Sequence, residues 1–223
     1  MCSRSNRHIK MAAKNPAILY AYWLSSCSWR VRAALHAKKI LFEERSVDIV
    51  QDKKQLSEQY RTINPAQKVP TLIIDGVTLV ESLAIIEYLE ETHPEPSLLP
   101  NDALQRARTR EICQTVVAGI QPLQNYGLKS HFPTEEQFIV FTKYWSERGL
   151  QTLENLLEKS AGRYSVGDQI TVADICVVPQ LYNAVTRYKI DISKYPTVSR
   201  IYNTLLEEEL FKNTHPKKIK HEN

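Results

Sequence analysis

Three prolines fall within the ten residues 93-HPEPSLLPND-102, and the hydrophobic pattern differs in kind on the two sides of that cluster. Proline has no N–H and clashes with the preceding turn, so the cluster must end one helix and form a semi-rigid linker. On its N-terminal side, 17-AILYAYW-23 reads as a strand. Ser25 or Ser26 then caps a helix to about Lys39, with Trp29, Ala33 and Ala37 along one side. A second strand, 41-LFEERSVDI-49, precedes a polar helix or loop around 52–62. The runs 71-TLII-74 and 77-VTLV-80 flank Asp75-Gly76, a strong hairpin signal. Ser82 is expected to cap a helix that turns Leu83, Ile86 and Leu89 inward. The order is β-α-β-α-β-β-α. Beyond the prolines the pattern is helical, with Leu150, Leu153 and Leu157, then Val172, Ile175, Cys176 and Pro179, at helical spacing. These readings predict an α/β domain over 16–93, a linker over 94–102 and an all-α domain over 103–211.

Charge narrows the partners. The 223 residues hold 29 Lys and Arg against 25 Asp and Glu, a net charge of +4. Residues 1–15 carry Arg4, Arg7, Lys10 and Lys14 with no acid. Residues 212–223 carry Lys212, Lys217, Lys218 and Lys220 against Glu222. The body between them is left at −3, with 21 bases and 24 acids. The basic balance therefore belongs to a leader and a tail expected to be mobile, and a nucleic-acid partner loses its support. No apolar run approaches the ~20 residues of a membrane helix. Cys2, Cys27, Cys113 and Cys176 are widely spaced with no CxxC or His pair, so no metal site is expected. The lack of a hydrophobic signal sequence favours a reducing, cytoplasmic location with free thiols. A basic, acid-free leader is also the composition of a mitochondrial transit peptide, though this one lacks an amphipathic stripe; Met11 is a second candidate start.

One segment looks chemical. In 25-SSCSWRVR-32, hydroxyls, a thiol and Arg30 sit where a strand hands over to a helix. Unpaired N–H groups and the helix dipole gather anions there, and a hydroxyl or guanidinium stabilises a thiolate. An ordinary serine cap would look similar. Val69-Pro70 before the hairpin is an X-Pro step of the kind that is sometimes cis, with its backbone presented to an extended ligand, a weak signal by itself. Glu81-Ser82 could clamp an amino-acid-like group. Thr171 and Asp174 form a capping box, with Ile170 and Ile175 as its hydrophobic staple; their role is folding, worth about 1 kcal/mol.

Taken in order, these pieces resemble the cytosolic glutathione transferases, over residues 16–216. The run Ser25-Ser26-Cys27-Ser28-Trp29-Arg30-Val31-Arg32 resembles the zeta-class signature, and 64-NPAQKVPTL-72, 82-SLAIIEYLEETHP-94, 119-GIQPLQN-125 and 167-GDQITVADICVVPQ-180 agree with it. The resemblance implies a thioredoxin-like first domain that binds glutathione as cofactor through residues 25–30. Val69 would pair with its cysteinyl part, Glu81 and Ser82 would hold its γ-glutamyl end, and Gln55 its glycyl end. Gln121 and Asn125, on the first helix of the α domain, would complete the site. The family usually has Gln at the position of Glu81.

The activity implied is cis–trans isomerisation of maleylacetoacetate to fumarylacetoacetate, in tyrosine and phenylalanine breakdown. Glutathione thiolate adds to the double bond, the bond rotates, and the thiol leaves unconsumed. Ser25 would be the hydroxyl nearest the sulfur, with Ser26 and Cys27 supporting it. Arg187, or Arg30, would take a substrate carboxylate. Side activity on small α-halo acids and a homodimeric state come with the resemblance. Two alternatives remain at this point: a thiol transferase or dehydroascorbate reductase using Cys27 as nucleophile, and a non-catalytic binding module of the same fold.

Overall fold

The computed structural model describes residues 16–222. The expectations for residues 1–15 lie outside that range. The first unit is a four-stranded sheet in the order β2-β1-β3-β4, built from β1 (Ala17–Ala21), β2 (Phe42–Ser46), β3 (Thr71–Ile74) and β4 (Val77–Val80). β1 runs parallel to β2 and antiparallel to β3, and β3 pairs antiparallel with β4. Both residues of the Asp75-Gly76 turn have positive φ, 52° and 80°, the backbone that a two-residue hairpin needs.

Around this sheet lie α1 (Ser26–Ala37), α2 (Glu58–Ile63) and α3 (Ser82–Thr92). The second unit contains α4 (Ala103–Gln114), α5 (Glu135–Ser160), α6 (Val172–Thr186), α7 (Pro196–Leu206), α8 (Glu209–Asn213) and α9 (Pro216–Glu222). The expected fold class, a thioredoxin-like α/β domain followed by a helical domain, is observed. β2 is shorter than the run 41–49 suggested, because only Phe42–Ser46 pair with β1.

α1 is the keystone of the arrangement. It packs on α3 and on α6, and so is buried on more than one side: Ser26 and every residue from Ser28 to Leu35 lie out of water. Its neighbours belong to one continuous core that joins both units, running from Leu19 and Leu72 in the sheet to Ile175 and Leu181 in α6. The linker is held too. Lys38 pairs with Glu90, and its ammonium donates to the carbonyls of Pro94 (3.3 Å) and Pro96 (3.1 Å). Leu98 is buried, and its carbonyl accepts from the Val172 N–H at 2.9 Å.

Three expectations need correction. Ser82 does not cap α3 but is its first residue; the cap position is Glu81, with φ +66° and no side-chain bond to the helix. The inward face of α3 is Ile85, Ile86 and Leu89, with Leu83 only half buried. The C-terminal tail is packed as far as it is described, since α8 and α9 continue the helical body. Phe211, Thr214 and Ile219 are buried, Trp29 Nε1 donates to Thr214 Oγ1 at 2.8 Å, and the His215 ring meets Trp29 and Tyr182 edge-on. The Thr171–Asp174 capping box is present as expected. Asp174 is fully buried and accepts from the N–H groups of Thr171 (2.7 Å) and Ser165 (2.8 Å).

Candidate active site

A cleft of about 1290 Å³ opens between the two units. Its lining brings together Ser25, Ser26, Cys27, Gln55, Val69, Pro70, Glu81, Ser82, Gln121, Asn125 and Arg187, which are eleven of the positions singled out from sequence. It leaves out Ser28, Trp29 and Arg30. These three are fully buried behind the cleft, because α1 turns them toward the sheet, α3 and the second unit. Ser28 Oγ accepts from the Tyr22 N–H at 3.3 Å and ties the end of β1 to the helix; Trp29 is anchored on Thr214. Arg30 therefore does not meet a substrate carboxylate.

Ser25 is the N-cap of α1, and its Oγ accepts the Ser28 N–H at 3.2 Å. A hydroxyl has one proton and two lone pairs, so the cap uses an acceptor site and leaves the proton to donate into the cleft. Ser82 is arranged alike. Its Oγ accepts from Arg30 Nη1 at 3.2 Å, which again leaves the O–H for an anion. Glu81, beside it, is exposed and held at positive φ, a strained backbone for a residue with a Cβ.

The Val69-Pro70 bond is cis, and the turn before it is fixed from beneath. Asn64 is buried, and its Nδ2 donates to Lys68 O (2.8 Å) and Thr71 Oγ1 (2.9 Å); the Tyr60 hydroxyl donates to the same Lys68 carbonyl at 2.8 Å. Val69 thus reaches the cleft just ahead of the β1–β3 ladder, which begins at the Tyr20–Thr71 pair. Gln55 is positioned by a loop organised around Asp48, whose carboxylate accepts from Val50 N (2.7 Å) and Gln51 N (2.8 Å). Those N–H bonds hold the Asp48 carboxyl below its ordinary range. Gln55 Nε2 rests on Ile49 O at 3.4 Å, while its Oε1 is buried with no partner in the chain.

Gln121 and Asn125 reach the cleft from beyond α4, not from within it. A π-helical turn (Thr115–Ile120) and a short 3-10 turn (Gln121–Gln124) swing the chain across. Gly149 of α5 makes room for that turn, since a Cβ there would collide with Ile120. Arg187 ends α6, and its guanidinium lies over the rings of Tyr126 and Tyr188, 5.2 Å from each centroid. Tyr188 is itself fixed through its hydroxyl to Gln124 O at 2.9 Å.

Sequence reasoning missed part of the lining. Lys53 and Lys68 join Arg187 as cations, Lys129 is paired with Glu135 at 2.9 Å, and Glu81 is the single carboxylate among the lining residues. The cleft is therefore locally positive inside a body of net charge −3. Tyr22 also faces it; burial, and then the charge of Asp48, push its phenol up, so it stays protonated at neutral pH. Lys53 and Lys68 were legible beside Gln55 and Val69, but the chain gives no local sign of which lysines face inward.

The cleft has hydroxyl donors for an anionic sulfur, a backbone edge for a peptide-like ligand and a guanidinium among its lining. Comparison with known families settles whose cleft it is. Residues 19–97 match the glutathione S-transferase N-terminal domain and residues 129–213 the C-terminal domain. The chain belongs to the glutathione S-transferase family. It is 49% identical over 201 residues to the probable maleylacetoacetate isomerase 1 of Drosophila melanogaster, covering 89% of this chain and 81% of that protein. It is 46% identical to the maleylacetoacetate isomerase of Mus musculus, covering 93% and 95%. The maleylacetoacetate isomerase of Anaeromyxobacter dehalogenans 2CP-1 has been solved with bound GSH in the active site (TM-score 0.81, 40% identity, covering 92% and 98%). It has also been solved with bound dicarboxyethyl glutathione and citrate (TM-score 0.79, 39% identity, covering 92% and 97%).

Proposed function

We propose that this chain is a zeta-class glutathione transferase that isomerises maleylacetoacetate to fumarylacetoacetate, with glutathione as a recycled cofactor. The observation that carries the reading is the Ser25 hydroxyl, free to donate at the N-terminus of α1 and sharing one cleft with the Arg187 guanidinium. The relatives at 46–49% identity support the substrate.

The residues fit glutathione. The orphaned Gln55 Oε1, the free Ser82 hydroxyl proton and the Val69 edge all line the cleft, where they offer contacts to the glycyl, γ-glutamyl and cysteinyl parts. Bound glutathione supplies the thiolate that adds to the cis double bond, frees that bond to rotate and departs to leave the trans product. Ser25 holds this sulfur as an anion by donating its hydroxyl proton, aided by the unpaired N–H groups of the first turn. Arg187, stacked on Tyr126 and Tyr188, holds a substrate carboxylate and faces the negative charge that moves onto the substrate. A cleft with Lys53, Lys68 and Arg187 against one carboxylate, Glu81, suits a dianionic substrate and small α-halo acids better than a neutral aromatic electrophile.

The protein acts as a homodimer in this reading. Leu104 on α4, and Val140 and Tyr144 on α5, stand exposed and are apolar surface that a second copy would cover. The free thiols of Cys27, Cys113 and Cys176 suit the cytoplasm, where tyrosine breakdown would place the enzyme. A Cys27→Ala variant tests the chemistry against thiol transfer: the isomerase keeps substantial turnover, whereas loss of essentially all activity would assign the nucleophile to Cys27.

A further inference from the structure

Arg30 carries a charge for which the protein provides no carboxylate. Its side chain is fully buried, and no ion pair joins it to an acid among the described residues. Nε and Nη2 have no hydrogen-bond partner, while Nη1 reaches Ser82 Oγ at 3.2 Å and Cys27 Sγ at 3.7 Å. Its near neighbour Arg32, equally buried, has a bidentate Glu44 (2.8 and 2.6 Å). A buried cation without a counter-ion is destabilising, and an anion bound in front of it would offset that cost. Both groups that Arg30 touches line the cleft: Cys27 lies two residues after Ser25, and Ser82 begins α3.

We propose that Arg30 is a positioning residue for the isomerase: a buried cation whose charge, beside Cys27, favours the thiolate of glutathione, and whose bond to Ser82 orients that hydroxyl toward the γ-glutamyl carboxylate. By donating to Ser82 Oγ, it turns that hydroxyl's proton toward the ligand. Its unbalanced charge adds to the N-terminal end of α1, where the sulfur must ionise. The other groups that share its surroundings are not free acids. Asp174 is engaged by Ser165 and Thr171. Cys113 and Cys176 form a buried thiol pair, in which their mutual hydrogen bond pushes Cys113 up and Cys176 down, and Arg30 pulls both lower. The inference rests on glutathione thiolate being the reacting species.

The test compares Arg30→Met and Arg30→Lys with the unaltered protein, reading the pKa of enzyme-bound glutathione from its thiolate ultraviolet absorbance and the melting temperature without ligand. In Arg30→Met the bound thiol pKa is expected to rise by about one unit or more, with turnover at neutral pH falling about tenfold. The ligand-free protein should melt no lower, because an uncompensated charge has been removed. Arg30→Lys, which keeps a cation, should retain part of the lowered pKa. A bound-thiol pKa unchanged in Arg30→Met overturns the proposal, as does a loss of folding in Arg30→Met with Arg30→Lys indistinguishable from the parent in stability and raised in pKa as far as an uncharged Arg30→Gln. If bound glutathione in the unaltered protein titrates like free thiol, the thiolate reading itself fails, and that outcome is separate from the others.

Discussion

Ser25 does two jobs with one oxygen, and substitutions can separate them. Its lone pair caps α1 through the Ser28 N–H, and its proton is left for the thiolate. Removing a cap of this kind by Ser25→Ala lowers stability by about 1 kcal/mol, a melting shift of about 2–4 °C for a chain of this size. Removing a hydrogen bond to a charged group takes away about 1.5–3 kcal/mol. Turnover should then fall about 10- to 150-fold, and the pKa of the bound thiol should rise by about 1–2 units. Ser25→Gly keeps most of the capping energy, within a few tenths of a kcal/mol, but has no donor. Ser25→Asp caps as well as serine and places a negative charge against the sulfur. The expected order of stability is therefore Ser ≈ Asp > Gly > Ala, whereas the order of turnover is Ser far above Ala and Gly, with Asp lowest. Paired thermal melts and isomerase assays on the four proteins decide the matter. A Ser25→Asp enzyme that turns over like the parent, or a turnover series that tracks the melting series, would refute the assignment of the donor to Ser25.

Arg187→Ala should raise KM for a diacid substrate about 10-fold or more, the loss of one charged hydrogen bond, and leave glutathione affinity nearly unchanged; steady-state kinetics with each ligand varied separately checks this. The Asp48 carboxyl is held low by the N–H groups of Val50 and Gln51, so its contribution is complete above about pH 4 and is lost as pH falls through the depressed folded value. The part of glutathione affinity that depends on Asp48 should accordingly be lost only in that acidic window, and Asp48→Asn should show the weakened affinity already at neutral pH, as read by calorimetry. Thr214→Val deprives the buried Trp29 N–H of its acceptor. A destabilisation of about 1–3 kcal/mol in denaturant unfolding is expected, against none for a free tail.

What could be read from the chain was what local chemistry decides. Asp75-Gly76 fixes a hairpin because the turn itself demands positive φ, and Thr171 with Asp174 starts α6 through contacts three residues apart. The Ser25 cap was visible for the same reason. Contacts across long sequence gaps were not. Thr214 meets Trp29 across 185 residues, so a lysine-rich tail looked mobile when it is packed on α1. The outward reading of Arg30 failed because α1 is buried on more than one side, and a helix so placed loses the amphipathic period that would tell its faces apart. Ser82 looked like a cap by residue type, yet the distant Arg30 uses its oxygen instead. Gln121 and Asn125 were found as residues but placed wrongly, since nothing in 115-TVVAGI-120 announces a π-helical turn.

The central claim is that glutathione is used and returned in a cleft built around Ser25 and Arg187. Its most direct test is a turnover count by NMR, with a cis diacid substrate such as maleylacetoacetate in large excess over a limiting amount of glutathione. The account predicts many equivalents of trans product for each glutathione present, no loss of free glutathione at the end, and no conversion when S-methylglutathione replaces it. Product that stops at one equivalent, accumulating thioether, or isomerisation without any free thiol would contradict it.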